Sequence, residues 1–274
     1  MTALGVALIG AQVLTVSIDP SIWTQVDRIA WPGNERNVLV LGPTTSRYVT
    51  ECGVLDLAGA SKAGYSFRLG EHCHRLIVFM NLSGGVTDQP RAEQFLSEHE
   101  SFHVAAQMYG SKVPVEFMGV DPGLVRGFSG SDRFKNFYTS IEDLFASEMN
   151  GDEASCAYLE ASYKALDPGA REYLDYKIFW EWPAEYYAQK AVFHDDFVGY
   201  SKFRSQLFSE GNDGFELFVS GVKTGMILDK VMGRERWQEM AAEGASMLDL
   251  LLGHYGCHPI PRSLPVRMKR VDFS

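Results

Sequence analysis

The stretch AEQFLSEHESFHVAAQMY, residues 92–109, predicts the helix on which the fold and the candidate site depend. Its apolar residues recur at spacings of three and four, which is typical of a helix with one buried face. Asp88 precedes it as a capping residue and Pro90 falls in its first turn, and both are helix-start signals. His99 and His103 lie one turn apart on the predicted buried face, so both imidazoles project from the same side.

The spacing of His99, Glu100 and His103 suits a zinc ion. Zinc binds imidazole nitrogen and carboxylate oxygen, and catalytic zinc sites combine three protein ligands with one water. Glu100 stands where it can take a proton from that water, whose pKa zinc lowers to about 7. These residues predict a zinc-dependent hydrolase with Glu100 as general base. The alternative is an amphipathic helix whose two histidines are hydrogen-bonded in the core.

His99-Glu100-Ser101-Phe102-His103 resembles the signature of the zincin metallopeptidases. Residues 104–112 contain no further histidine, so the extended metzincin pattern is absent. In the gluzincin branch a glutamate on a later helix is the third ligand, and an acidic residue four positions on orients a ligand histidine. The segment from Glu181 to Glu185 is similar to that pattern.

The resemblance implies that His99, His103 and Glu181 bind Zn²⁺, while Glu185 orients a histidine through its free ring N–H. Glu185 can also be the metal ligand in place of Glu181, because the two are themselves four residues apart. Two features depart from the family. Glu185 stands where the family usually has Asp, and Pro183 lies between the two carboxylates, where a kinked or divided helix is expected.

Hydrolysis also needs a donor for the oxyanion that forms in the transition state. The candidates are His194, Tyr186 and Tyr187, because all three follow the predicted ligand Glu181 in the sequence. His194 is the preferred one. His72 and His74 form a second His-x-His pair, which in a strand either chelates a metal or lies as solvated side chains on one sheet face.

The wider pattern predicts an α+β fold class, in which a β-rich N-terminal third packs on a mainly helical, zincin-like remainder that carries the His-Glu-x-x-His helix. Strands are expected at 12–18, 38–41 and 75–82, and the last of them is placed to hold an extended peptide by backbone pairing. Further helices are expected at 131–150, 153–165, 167–192, 215–232 and 234–252. Residues 1–274 are predicted to form a single catalytic domain, with a β-rich part at 12–88 and a helical part at 89–274.

Composition and charge limit the classes of partner and the location that the chain can have. A net charge of −10 argues against a nucleic-acid partner, which usually requires a basic surface. No stretch approaches the roughly 18 apolar residues of a membrane span. Residues 1–11 resemble a signal-peptide remnant without its charged region, or they lead into a first strand. The four scattered cysteines form disulfides or remain buried thiols.

The function predicted from these residues is a zinc metallopeptidase acting on a peptide or protein substrate, in a secreted or periplasmic rather than a cytoplasmic location. Two other functions stay open. The chain can act on a non-peptide amide, or it can be a non-catalytic secreted or periplasmic binding protein. Neither substrate specificity nor oligomeric state follows from the sequence.

Overall fold

The computed structural model describes residues 12–15, 18–25, 38–41, 47–50, 53–56, 65–68, 74–78, 88–108, 113–114, 132–207, 213–257 and 268–269. From residue 88 onward these residues are almost all helical. The helices are α1 (Gln89–Phe102), continued by a π-helical segment (His103–Met108), a short 3₁₀ turn (Asp132–Phe134), α2 (Lys135–Asn150), α3 (Ala157–Lys164), α4 (Pro168–Phe193), α5 (Phe197–Leu207), α6 (Asp213–Val231), α7 (Arg234–Ala242) and α8 (Met247–His254).

The described strands are short. They are β1 (Gln12–Thr15), β2 (Val38–Leu41), β3 (Arg47–Thr50), β4 (Gly53–Asp56), β5 (Tyr65–Arg68), β6 (His74–Val78), β7 (Val113–Pro114) and β8 (Met268–Lys269). Four of them form a mixed sheet in the order β1-β2-β6-β5, where β2 and β6 are parallel and the outer pairs are antiparallel. β3 pairs with β4, and β7 pairs with β8.

The predicted α+β class with a β-rich N-terminal third is wrong, because the residues that the structure describes are mostly helical. The strands are two to five residues long. Among the side chains that the structure describes, the buried ones lie in the segment 18–25 and in helical residues or their short connections. Runs of branched residues correctly suggested extended backbone in places, but helices build the core.

β6 is not an edge strand, since β2 pairs with one side of it and β5 with the other. Its backbone groups are already used on both sides, so the expected pairing of a peptide with this strand is contradicted. β2 is a described strand that packs against α1.

Local signals set the helix ends. The Oδ1 atoms of Asp88 and Asp167 accept backbone N–H bonds from the first turns of α1 and α4, and the predicted cap at Asp88 is confirmed. Gly151 ends α2 with φ of 76°, a left-handed conformation that glycine adopts without steric cost. The predicted helix at 234–252 is divided into two, because Gly244 has φ of 99° and Ser246 caps α8.

α4 is the central helix, and it packs against α1 on one side and α6 on another. Two glycines of α6 permit a close approach. A Cβ at Gly221 would lie 2.7 Å from the Trp182 ring, and one at Gly225 would lie 2.2 Å from the Tyr186 ring. Any larger residue at these positions would push α6 away from α4, the helix that carries Glu181 and Glu185.

The segment 18–25 covers the far side of α1. Trp23 is buried and its ring meets Phe102 and Trp237 at centroid distances of 4.6 and 5.4 Å. The Asp19 backbone N–H donates to the Tyr187 hydroxyl on α4. This packing fixes the back of α1, so that the face bearing the histidines turns toward α4.

A disulfide joins Cys156, just before α3, to Cys257, just after α8, across a sequence separation of 101 residues. For this pair the sequence left open whether the thiols were free. Cys52 and Cys73 lie outside the described residues, as do His72 and residues 1–11. His74 is described only as the first residue of β6.

The double substitution Cys156→Ala/Cys257→Ala is expected to lower the free energy of unfolding by about 2–5 kcal/mol, because the cross-link closes a long loop in the unfolded chain. Denaturant unfolding followed by circular dichroism measures this loss, and reduction of the wild type is expected to produce a loss of similar size. A double variant as stable as the oxidised wild type would contradict the expectation.

Within the described part of the chain, no helix combines the length and the apolar character that a membrane crossing needs.

Candidate metal centre

Three potential ligand atoms converge between α1 and α4. The Nε2 atoms of His99 and His103 are 3.1 Å apart. The Oε2 atom of Glu181 lies 3.3 Å from the first nitrogen and 3.8 Å from the second. All three side chains are largely buried, with exposed fractions of 6%, 13% and 17%. The structure therefore brings Glu181 to the two histidines across 82 residues of sequence.

These separations fit a zinc ion. With zinc–ligand bonds of 2.0–2.2 Å, the ligand atoms of a tetrahedral site lie about 3.3–3.6 Å apart. Two imidazoles and one carboxylate are a known catalytic zinc set, and they leave a fourth position for water or substrate. The donor atoms and their spacing match both requirements.

Glu100 belongs to the same cluster. Its carboxylate and one nitrogen from each of His99 and His103 all lie within 4.8 Å of one another. Among the described residues, His99, Glu100 and His103 therefore also form a group that could hold a metal ion. Glu100 therefore lies beside the two imidazoles that Glu181 also approaches.

Glu185 contacts the other edge of His99. Its Oε2 atom lies 3.0 Å from Nδ1 of His99, and its side chain is fully buried. Arg204 of α5 donates from Nε to Oε1 and from a terminal nitrogen to Oε2, both at 2.6 Å, and the Tyr200 hydroxyl also donates to Oε1 at 2.6 Å. Glu185 thus lies at Nδ1 of His99, and Glu181 is the glutamate whose carboxylate approaches the Nε2 atoms of His99 and His103.

Charge pairing decides the protonation of this cluster. Burial disfavours the charged form of Glu185, but the Arg204 guanidinium and His99 outweigh burial and lower the pKa of the carboxyl group. Burial also opposes a charged His99, yet its contacts with Glu181 and Glu185 raise its pKa to about 10. Without a metal, His99 is therefore an imidazolium held between two carboxylates.

His103 is oriented by a different residue. Its Nδ1 atom lies 2.5 Å from Oε1 of Gln107, and the Gln107 amide nitrogen donates to the carbonyl oxygens of Phe179 and Trp180, each at 2.9 Å. Since the amide oxygen can only accept, Nδ1 carries the proton and Nε2 is left with a free lone pair toward the site.

Pro183 explains why the Phe179 carbonyl is available to Gln107. In a regular helix that carbonyl would accept the N–H of the residue four positions later, and proline has none. α4 runs without interruption from Pro168 to Phe193, so Pro183 does not divide the helix as the sequence suggested. It instead frees an acceptor that α4 offers to the Gln107 side chain.

The backbone of α1 changes at the motif itself. His103 begins the π-helical segment that ends at Met108 and includes Gln107. Single π turns are rare and concentrate at functional sites, where they redirect side chains. Here the π-helical segment contains both His103 and Gln107, the imidazole and the amide that face α4.

Lys177 holds the remaining oxygen of Glu181. Its ammonium lies 2.9 Å from Oε1, one helical turn before the carboxylate. Burial alone would raise the pKa of Glu181, but Lys177 and the two imidazoles hold it well below its usual range. Glu181 is therefore an anion at neutral pH, as a metal ligand has to be.

The three predicted oxyanion donors lie elsewhere. His194 is exposed and follows the last residue of α4, about 20 Å from Glu181 along the helix axis at 1.5 Å per residue. The Tyr186 hydroxyl donates to Asp229, and the Tyr187 hydroxyl donates to Glu98. The structure does not bring any of the three to the metal cluster.

Four residues that hold Glu181, Glu185 or His103 in place were not identified from the sequence: Lys177, Tyr200, Arg204 and Gln107. Two of them carried a local signal, because Lys177 lies four residues before Glu181 and Gln107 lies four residues after His103. Tyr200 and Arg204 reach the site only through the packing of α5 on α4 and α1, and no spacing in the sequence indicates that contact.

Comparison of the chain with protein-family models, with curated proteins and with solved structures gave no match.

Proposed function

We propose that the protein is a zinc-dependent hydrolase of the gluzincin type, acting as a peptidase, with zinc bound by His99, His103 and Glu181. One observation carries the proposal. Two imidazole nitrogens and one carboxylate oxygen, from two helices, approach one another at 3.1–3.8 Å, while a further carboxylate stands beside them. A structural pair of core histidines would need neither carboxylate.

A bound zinc ion would supply Lewis-acid polarisation of a carbonyl group and would lower the pKa of water to about 7. The chain supplies the proton transfer. Glu100 takes a proton from the attacking water and passes it to the leaving nitrogen, so one carboxylate acts first as base and then as acid. Glu185 and Gln107 fix the rings of His99 and His103, and each ring keeps Nε2 directed at the site.

Fixed orientation matters because partners of this kind control metal affinity, and their loss typically weakens it 10–100-fold. Glu185 is itself clamped by Arg204 and Tyr200, so the site has a rigid support. The disulfide between Cys156 and Cys257 supports the secreted or periplasmic location, since such bonds persist in oxidising compartments.

Peptide hydrolysis tests the proposal directly. The zinc-loaded protein is incubated with a mixed peptide library, and new termini are identified by mass spectrometry. We expect cleavage that a chelator stops and added zinc restores. Cleavage of non-peptide amides alone would assign a different substrate class. A zinc-loaded protein that hydrolyses none of these would favour the non-catalytic binding protein.

Zinc uptake is expected to depend on pH, because zinc has to displace the proton from His99. That proton is retained until pH rises to about 10, well above the ordinary histidine value of 6.5. The raised pKa stabilises the metal-free fold fully below pH 6.5, and this contribution is lost as pH rises through about 10.

The apparent zinc affinity is therefore expected to increase about tenfold per pH unit between pH 7 and 9, with one proton released from His99 per zinc bound. Competition titration with a chromophoric chelator measures the slope, and a weakly buffered indicator measures the proton release. A zinc affinity that does not change over this range would contradict the assigned protonation.

A further inference from the structure

The two oxygens of Glu181 have separate partners. Oε2 faces the nitrogens of His99 and His103, and Oε1 is held by the Lys177 ammonium at 2.9 Å. Lys177 is itself well covered, with 18% of its side chain exposed. Burial alone would lower the pKa of the Lys177 ammonium group. The adjacent Glu181 carboxylate outweighs burial and raises this pKa.

A carboxylate can bind a metal through one oxygen or through both. Use of both oxygens of Glu181 would occupy a position that catalysis needs for water or substrate, because a catalytic zinc keeps one position open. Lys177 competes for Oε1 and leaves Oε2 as the oxygen directed at the imidazoles. The ammonium also withdraws charge from the carboxylate, so the ligand donates less to the metal.

We propose that Lys177 is a positioning residue that confines Glu181 to one-oxygen coordination and so keeps the fourth metal position open. This inference rests on the proposed zinc function and deepens it. The observation behind it is the juxtaposition of a buried ammonium with the carboxylate oxygen that does not face the histidines.

A simpler reading treats Lys177 and Glu181 as an ordinary pair one turn apart on a helix. The chain contains a matched example, because Lys164 pairs with Glu160 one turn away on α3, where the Lys164 side chain is 51% exposed. Lys164→Met is therefore the control for the loss of a helical lysine pair that is remote from the metal cluster.

The test uses the full chain loaded with cobalt(II), whose visible absorption weakens sharply when four-coordinate geometry becomes five-coordinate. We expect wild type and Lys164→Met to give the strong four-coordinate spectrum. Lys177→Met is expected to give the weak five-coordinate spectrum while binding cobalt at least as tightly, because Glu181 gains a free oxygen. Lys177→Arg is expected to restore the wild-type spectrum, since a guanidinium can hold the same oxygen.

Lys177→Gln provides a second variant if Lys177→Met does not fold, and an intermediate spectrum is expected because a neutral amide competes weakly for Oε1. A Lys177→Met spectrum identical to the wild type would overturn this inference while leaving the zinc proposal intact. Weaker cobalt binding in Lys177→Met with an unchanged spectrum would likewise assign only a structural role. A wild-type chain that binds no cobalt would overturn both proposals.

Discussion

Glu100→Gln is expected to lower kcat by about 10²–10⁴-fold, the usual contribution of a general acid–base group. Glutamine has nearly the same shape as glutamate but cannot accept the proton from the attacking water. Because Glu181, and not Glu100, completes the proposed ligand set, the variant is expected to bind zinc as tightly as the wild type. The measurement pairs kcat on the peptide substrate with zinc content by elemental analysis.

Glu93→Gln serves as the control, because Glu93 lies on the same helix two turns before the motif. Its kcat is expected to equal that of the wild type. Activity that survives in Glu100→Gln would exclude Glu100 as the general base. Loss of zinc from this variant would instead identify Glu100 as a ligand.

Arg204→Met is expected to lower the free energy of unfolding of the metal-free protein by about 3–5 kcal/mol. The substitution removes two hydrogen bonds and the compensating charge from Glu185, whose side chain is fully buried. An uncompensated buried carboxylate is among the most destabilising changes that a core can receive. Denaturant unfolding at constant pH, monitored by tryptophan fluorescence, gives the loss.

The double variant Glu185→Leu/Arg204→Met separates charge compensation from packing. Replacing both partners of a buried ion pair by apolar residues is often neutral, so the double variant is expected to be more stable than Arg204→Met alone. Its zinc affinity is nevertheless expected to fall about 10–100-fold, because His99 loses its partner at Nδ1. A double variant that is no more stable than Arg204→Met would show that Arg204 acts through packing alone.

The candidate metal centre was predictable where its residues are close together in the sequence. His99, Glu100 and His103 share one helix face, and Asp88 caps that helix, so spacing alone places them. The separation of Glu181 and Glu185 by one turn is also local. Which of the two glutamates approaches the Nε2 atoms is not a local property, because Glu185 is bound by Arg204, which lies on another helix.

The fold class was predicted less well for a related physical reason. Short branched runs such as 38–41 do form strands, but the length and pairing of a strand are set by distant segments. β6, the strand expected to hold a peptide by backbone pairing, lies between β2 and β5 in the sheet. From the sequence, Pro183 predicts a kinked or divided helix, whereas its missing N–H leaves the Phe179 carbonyl free for Gln107. That effect requires a partner helix, and the pattern of α4 alone does not contain it.

Zinc binding by Glu181→Ala, compared with the wild type and with Glu172→Ala, is the most direct test of the ligand set. Glu172 is an exposed residue on the same helix and serves as the control. We expect one zinc per chain for the wild type and Glu172→Ala, and an affinity at least 100-fold lower for Glu181→Ala. Wild-type protein without zinc after reconstitution, or a Glu181→Ala variant that binds zinc as tightly as the wild type, would contradict a zinc site built from His99, His103 and Glu181.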